Sequence, residues 1–332
     1  MILQEPDHRM PAPARRAVLR CLALGGLGLL TGRCGGKRQR VIGVVPQGLT
    51  HLFWQTIHAG AVAAAQESGA AVQWSGAATE TDYNGQLQIV DAMINRRVDA
   101  IVLAPVDRKI LLSAVDRAMS QKIPVIIFDS GIEGENYTAW VATDNYGAGA
   151  MAAGRVIELL NGKGRIAIVA VRPGVASSVA REAGFEDRIK KEAPGIQIVD
   201  QRFGMADFAK SLAVTENILT AHPDLDALFA SNESSTVGAM QALKSRASKT
   251  KLVGFDWSPN LIEELRSGLV DSLVAQDPFR IGYESVKSAL AAIEGRPVQK
   301  VQHLPARLLR KADLDLPEVQ KLLNPDLKKY LG

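Results

Sequence analysis

The sequence predicts an α/β protein built as two lobes, each around a parallel sheet of its own. Three observations predict it. From residue 41 onward, short apolar runs alternate with longer stretches of helical period, the pattern of βαβ crossovers. Two such series follow one another, each long enough for its own sheet. Strand after strand ends on a polar or aromatic side chain, where the ligand crevice of an open α/β sheet lies. A single (β/α)8 barrel is the competing architecture. The aspartate-bearing strand ends and the short strands returning late in the chain favour two lobes.

In the first series the apolar runs 41–46, 71–75, 99–103 and 125–128 read as strands. Helical periodicity separates them over 52–68, 83–95 and 109–120. After a strand at 138–143 the second series begins, with strands at 166–171, 196–203, 227–229, 252–255 and 273–275. Its helices are expected at 147–160, 179–192, 208–221, 237–244 and 261–267. A last helix at 281–294 leads to a short strand near 298–303. The tail, 314–332, carries Pro317, Pro325 and alternating charges, which predicts a short surface helix. No sequence repeat or low-complexity linker is visible.

Composition narrows the function. The 332 residues are 47% hydrophobic and 22% charged, ordinary for a globular protein with a real core. Of 39 basic and 35 acidic residues, eight and two lie in residues 1–40, leaving 31 and 33 in the body. A body so nearly neutral argues against a nucleic-acid face, which would need a basic excess. Both cysteines, Cys21 and Cys34, precede residue 41, so the body has neither a disulfide framework nor a thiolate metal site. His51 and His58 could share a helix face, but no acidic partner is evident beside them, and no metal or cofactor is expected.

The leader reads as an export signal. Arg15, Arg16 and Arg20 precede an apolar run at 21–32, too short for a membrane span of about 20 residues. Arg15-Arg16-Ala17-Val18-Leu19-Arg20 resembles a twin-arginine motif. Cys34 is the candidate lipid attachment point, although Arg33 stands where a small residue is usual. The expected location is periplasmic or extracytoplasmic, with anchoring through Cys34 as the variant.

Catalytic motifs are missing. There is no P-loop and no Gly-x-Ser-x-Gly elbow. Gly147, Gly149 and Gly154 do not follow a strand as a dinucleotide loop would, so they read as small residues in a tightly packed helix. The strand ends carry a different chemistry. Val253-Gly254-Phe255 delivers Asp256 and Trp257, and 125–128 delivers Asp129 and Ser130. The first strand leads to Gln47, His51, Phe53 and Trp54. Further strand ends bring Arg181 on the loop before 179–192, Phe208, Asn232 and Gln276. Carboxylates and a guanidinium make strong hydrogen bonds to hydroxyls, and amides offer both donor and acceptor. Aromatic rings cover apolar C–H faces. The set suits a neutral, hydroxyl-rich ring. Each residue also has an ordinary reading. Asp129, Asp256 and Asn232 would serve as helix caps, the aromatics as core, and Arg181 as a surface partner of Glu182 or Glu186.

Residues 41–310 resemble the ribose-binding-protein-like sugar receptors of ABC transporters. The resemblance rests on Ile126-Ile127-Phe128-Asp129, Thr143-Asp144-Asn145, Arg181 with Gly184-Phe185, Phe229-Ala230-Ser231-Asn232, Val253-Gly254-Phe255-Asp256 and Ala275-Gln276 in that order. It implies the type I periplasmic binding protein fold, two Rossmann-like lobes joined by three crossings. The implied lobes are 41–143 with 277–304 and 144–276 with 305–313, with a hinge at Asp144, Asn145, Gln276 and Leu304. It implies no enzyme activity. The lobes would close over a monosaccharide or polyol, and a monomer would deliver it to a membrane permease. By motif position Asp129, Arg181, Asn232, Asp256 and Gln276 would bond the sugar. Phe53, Trp54 and Phe208 would sandwich it, with Phe255 or Trp257 adding apolar cover. Gln47, His51 and Ser130 depart from the ribose pattern of serine, asparagine and arginine, which points away from ribose. Delivery to a membrane sensor is the alternative role. A lac-repressor-type effector domain would need a helix-turn-helix ahead of the fold, where this chain has an apolar leader. A sugar-processing enzyme would need an acid/base pair in the cleft, which Asp129 and Asp256 could in principle form.

Overall fold

The computed structural model describes residues 38–332. The export signal and Cys34 lie outside the described residues. The first lobe begins with β1 (Val41–Val45), α1 (Leu52–Ser68), β2 (Ala71–Trp74), α2 (Tyr83–Asn95), β3 (Ala100–Leu103), α3 (Leu112–Ser120), β4 (Val125–Phe128) and β5 (Ala139–Thr143). The chain then enters the second lobe through α4 (Asn145–Leu160), β6 (Lys163–Ala170), α5 (Ala176–Glu192), β7 (Gly195–Phe203) and α6 (Phe208–Ala221). That lobe continues with β8 (Ala227–Ala230), α7 (Glu233–Ser245), β9 (Lys251–Phe255), α8 (Pro259–Ser267) and β10 (Ser272–Ala275). It returns by α9 (Pro278–Ile293) to β11 (Val301–Leu304), then crosses again to β12 (Arg307–Arg310). Two short helices, α10 (Pro317–Leu323) and α11 (Leu327–Leu331), end the chain.

The two sheets have the orders β11-β5-β4-β3-β1-β2 and β12-β10-β9-β8-β6-β7. Every pairing is parallel except β12 on β10. The inner strands are apolar on both faces because helices cover both, as Val125–Phe128 and Ala227–Ala230, fully buried, illustrate. The chain therefore passes between sheets three times, after β5, β10 and β11. The crossings are bonded to one another. The Asp144 N–H donates to the Leu304 carbonyl at 3.2 Å, and the Thr143 hydroxyl to Gln276 Oε1 at 2.7 Å.

Two helix pairs pack backbone to backbone. A Cβ on Gly282 of α9 would lie 2.0 Å from the Ile57 carbonyl oxygen of α1. A Cβ on Gly149 of α4 would lie 1.8 Å from the Arg181 carbonyl oxygen of α5. Only glycine permits these approaches, so the glycines at 147–154 serve helix packing.

The structure differs from the sequence reading at several places. Helix α5 starts at Ala176 and α7 at Glu233, each several residues early, because their serine-rich first turns read as loop. Strand β12 was not expected, since its alternation Arg-Leu-Leu-Arg is too short to signal. The tail forms two helices that are more than surface decoration. Leu314 and Val319 are buried in the second lobe's core, while Tyr330 of α11 meets Phe279 of α9 at 5.6 Å between ring centroids. Among the described residues no helix is long and apolar enough to cross a membrane.

Candidate functional site

Between the lobes, at the C-terminal ends of strands from both sheets, lies a narrow cavity of about 30 Å3. Its walls come from both lobes. Gln47, His51, Phe53, Trp54, Glu80 and Asp129 line it from the first, and Arg181, Asn232, Glu233, Asp256 and Gln276 from the second and its crossing.

The two aspartates are placed by the same device. Each follows the last residue of its strand, Phe128 or Phe255, and each adopts a left-handed backbone, φ 56° at Asp129 and 66° at Asp256. Their N–H groups still pair with the neighbouring strand, to Val141 O and Val274 O, both at 2.9 Å. The turn keeps the ladder intact while re-aiming the side chain into the crevice. Aspartate tolerates this region better than bulky residues.

Neither aspartate caps the helix that follows it. Asp256 Oδ2 accepts the Glu233 N–H at 3.0 Å, the open N-terminus of α7, and Oδ1 accepts the Gln276 amide at 2.7 Å. Asp129 is more exceptional. Its Oδ1 is buried and accepts no hydrogen bond among the described residues. Burial pushes the Asp129 carboxyl up to about 7; Arg181 opposes the rise, and Asp256 and Glu80 add to it. Burial likewise raises Asp256. Glu233 is pushed to about 7 by burial, against the attraction of His51.

Arg181 lies on the second turn of α5, not on a loop before it. Its Nε donates to Asn145 Oδ1 at 2.8 Å and Nη1 to Ser231 O at 3.0 Å, while the guanidinium carbon sits 3.9 Å from the Phe255 ring centroid. A cation held this way presents its remaining N–H groups in one direction. Asn232 both lines the cavity and caps α7, accepting the Ser235 N–H at 2.9 Å.

The other polar wall is a cluster around Glu80. His51 Nδ1 lies 2.9 Å from Glu80 Oε1, and the Trp54 indole donates to the same oxygen at 2.7 Å. Burial alone would lower the His51 pKa, but the bond and charge of Glu80, with Glu233 and Asp256 beyond, raise it. Burial would raise Glu80, but His51, Trp54 and Arg172 hold it below the usual range.

Four expected residues stand elsewhere. Phe255 is wholly buried under Arg181 and faces core. Trp257 packs in the second lobe's core, because the turn at Asp256 sends the next side chain the other way. Ser130 is buried, and its hydroxyl accepts the Ser177 N–H at 3.3 Å across the interface. Phe208 lines a second hollow at the cleft mouth and meets His51 edge-on at 5.0 Å. Sequence reasoning missed Glu80, Glu233 and Arg172. Glu80 gave His51 the acidic partner that local sequence did not show. The strand ends at β2 and β6, with polar residues just beyond them, were the available signal.

The periplasmic binding protein domain family matches residues 42–297. The chain belongs to the periplasmic binding protein family. It is 28% identical over 274 residues to the ribose import binding protein of Bacillus subtilis, covering 82% of this chain and 88% of that one. It is 30% identical over 254 residues to the D-allose-binding periplasmic protein of Escherichia coli, covering 74% and 81%. A carbohydrate transporter solute-binding protein from Agrobacterium radiobacter, solved with D-arabinose, superposes with a TM-score of 0.83 at 32% identity, covering 87% of this chain and all of that one. The two-lobed α/β architecture expected from the sequence is thus the family's, and the barrel is excluded.

Proposed function

We propose that this protein binds one neutral monosaccharide or polyol in the interlobe cavity and hands it to the membrane permease of an ABC transporter. It is an extracytoplasmic solute-binding protein of sugar transport and not an enzyme, as its family membership implies. One observation supports the ligand class above others: Asp129, a buried carboxylate with an unpartnered oxygen, faces amides, a fixed guanidinium and aromatic rings. A ring rich in hydroxyls satisfies all of them together. Asp129, Arg181, Asn232, Asp256 and Gln276 would hydrogen-bond it, and Phe53 and Trp54 would cover its apolar face. Phe208 would close the mouth rather than stack on the ring.

The three crossings, at Asp144 and Asn145, at Gln276 and at Leu304, would be the hinge, with Asp144 bonded to Leu304 and Thr143 to Gln276. The protein would act as a monomer, and Cys34 would be the anchoring point if the leader is processed as a lipoprotein signal. Ribose, allose and arabinose, which the relatives named above bind or carry, are the first candidates. The departures at Gln47, His51 and Ser130 rank ribose below the others.

Mass spectrometry of ligand released from freshly purified protein, with thermal shifts over a pentose, hexose and polyol panel, tests this. A saturating ligand at 100 times its Kd adds about 2.7 kcal/mol, a clear rise in Tm. No shift with any sugar, and a released ligand that is neither sugar nor polyol, would refute the function. Ribose binding as tightly as any other would refute the ranking.

A further inference from the structure

The Glu80 cluster goes beyond the binding reading and rests on it. Glu80 lies on the loop after β2 and reaches across to the start of α1. There a single carboxylate oxygen receives both His51 Nδ1 at 2.9 Å and Trp54 Nε1 at 2.7 Å. Both partners line the cavity. One residue therefore sets the orientation of a polar wall and of an aromatic wall. An ionised carboxylate only accepts, so it fixes the proton on Nδ1. The other ring nitrogen, Nε2, makes no hydrogen bond to any described residue. Phe208 closes over the ring edge at 5.0 Å.

We propose that Glu80 is a positioning residue for sugar selection, holding His51 as an imidazolium whose Nε2–H donates to an acceptor oxygen of the ligand. That charged donor stands in a cavity where Ser130 brings no guanidinium. The surroundings support the charged form. Glu80 touches the ring, Glu233 from α7 and Asp256 from β9 add negative charge, and burial is the opposing influence. Against burial, the bonds from His51 and Trp54, with a smaller contribution from the charge of Arg172, hold Glu80 below the usual carboxylate range. Asp207 and Lys210 line the mouth hollow that His51 also lines. The ligand's end at His51 must then present a ring oxygen or a hydroxyl lone pair, and binding is linked to His51 protonation. Affinity is highest while the imidazolium persists and falls as pH rises through its raised pKa.

The test pairs NMR with binding. The Cε1–H resonance of His51 is titrated in ligand-free wild type and in Glu80→Gln. D-allose, D-ribose and D-arabinose are measured calorimetrically from about pH 5 to about pH 9, the range over which a histidine changes charge. The His51 midpoint is expected above the ordinary histidine value and lower in Glu80→Gln. That variant should bind the preferred sugar about tenfold more weakly at neutral pH, the loss of one charged hydrogen bond. His51→Gln, which keeps a donor without the charge, should lose the histidine-linked part of the pH profile. An unchanged midpoint and unchanged affinity in Glu80→Gln would overturn the proposal, as would a wild-type pH profile that His51→Gln reproduces. If none of the sugars binds, the sugar-binding reading fails, and the ligand-free titration still decides the histidine's state.

Discussion

Arg172 offers the sharpest test of how closure is held. It follows β6 in the second lobe and is 1% exposed. Both of its hydrogen-bond partners lie in the first lobe. Nη2 donates to the Val106 carbonyl at 2.5 Å and Nη1 to the Tyr83 hydroxyl at 3.2 Å, with the guanidinium 5.3 Å from the Tyr83 ring centroid. Val106 is itself pinned, since its N–H donates to Gln86 Oε1 at 2.8 Å. These contacts bridge the two lobes. A hydrogen bond to a charged group contributes about 1.5–3 kcal/mol, and a partly desolvated cation–π contact about 1 kcal/mol. Against this stands the cost of burying a cation whose Nε has no partner among the described residues. Glu80, close enough to feel its charge, offsets part of that cost. Two such bonds and the ring contact, set against several kcal/mol for burying the cation, leave about 2 kcal/mol in favour of closure. Arg172→Met keeps the volume and strands the Val106 carbonyl. It should weaken sugar binding about 30-fold, while the ligand-free melting temperature barely moves. Calorimetric titration measures the first, and small-angle scattering with and without sugar shows whether closure is impaired. Equal or tighter binding would mean that desolvation of the guanidinium outweighs its bonds, and the latch reading would fall.

Four further outcomes follow from named contacts. Asp256→Ala should cost more than about 100-fold in affinity, through loss of charged hydrogen bonds, and leave the protein folded with a ligand-free melting temperature lower by a few degrees, since it strands the Glu233 N–H and the Gln276 amide; calorimetry and thermal unfolding check both. Gly149→Ala puts a methyl against the Arg181 carbonyl and should destabilise the fold by about 1–3 kcal/mol, while displacing Arg181 enough to weaken binding further, read by denaturant unfolding and titration. The stability that Asp129 and Glu233 contribute to the ligand-free protein should be lost as pH rises from about 4 to about 7. Asp129 and Glu233, with folded pKa values of about 7, bind more protons folded than unfolded in that window. His51, also raised, loses its contribution in the same direction. Asp129→Asn should flatten that slope in melting temperatures taken across pH. Ending the chain after Leu323 removes the Tyr330–Phe279 contact and should lower the melting temperature by a few degrees.

The fold was legible because parallel strands buried on both faces are nearly continuous apolar runs, and Val125–Phe128 or Lys251–Phe255 carry that signal unaided. The cavity residues were legible where the rule of strand ends applies, as at Asp129, Asp256 and Gln276. The misses have physical causes. Phe255 and Trp257 flank an aspartate in the left-handed region, and a single positive φ reverses which neighbours face the crevice. No residue pattern announces it. Glu80, Glu233 and Arg172 matter through partners 26 to 180 residues away, such as Glu80 with Trp54 and Glu233 with Phe53. Only the assembled lobes bring those together.

No repeat is visible in the sequence, yet the lobes use one frame twice. In each, a crossing helix packs on the helix after the first strand: α9 on α1, and α4 on α5. Asp277 and Asp144 cap the crossing helices by accepting the Arg280 and Gly147 N–H groups. Gly282 sits against the Ile57 carbonyl as Gly149 does against that of Arg181, and Gly60 and Gly184 each lie three residues further along. Asp129 and Asp256 end the corresponding strands. The frame demands only backbone proximity, a cap and a left-handed turn, so almost every other residue is free to diverge and the repeat vanishes from the sequence. What the frame leaves open is the side chain it aims. Ile57 fills core at the position where Arg181 is held for the cavity. One lobe thus gives its first helix to packing and an aromatic pair, the other to a guanidinium. A ligand with one apolar face and one polar edge is what such an asymmetric pair of jaws selects.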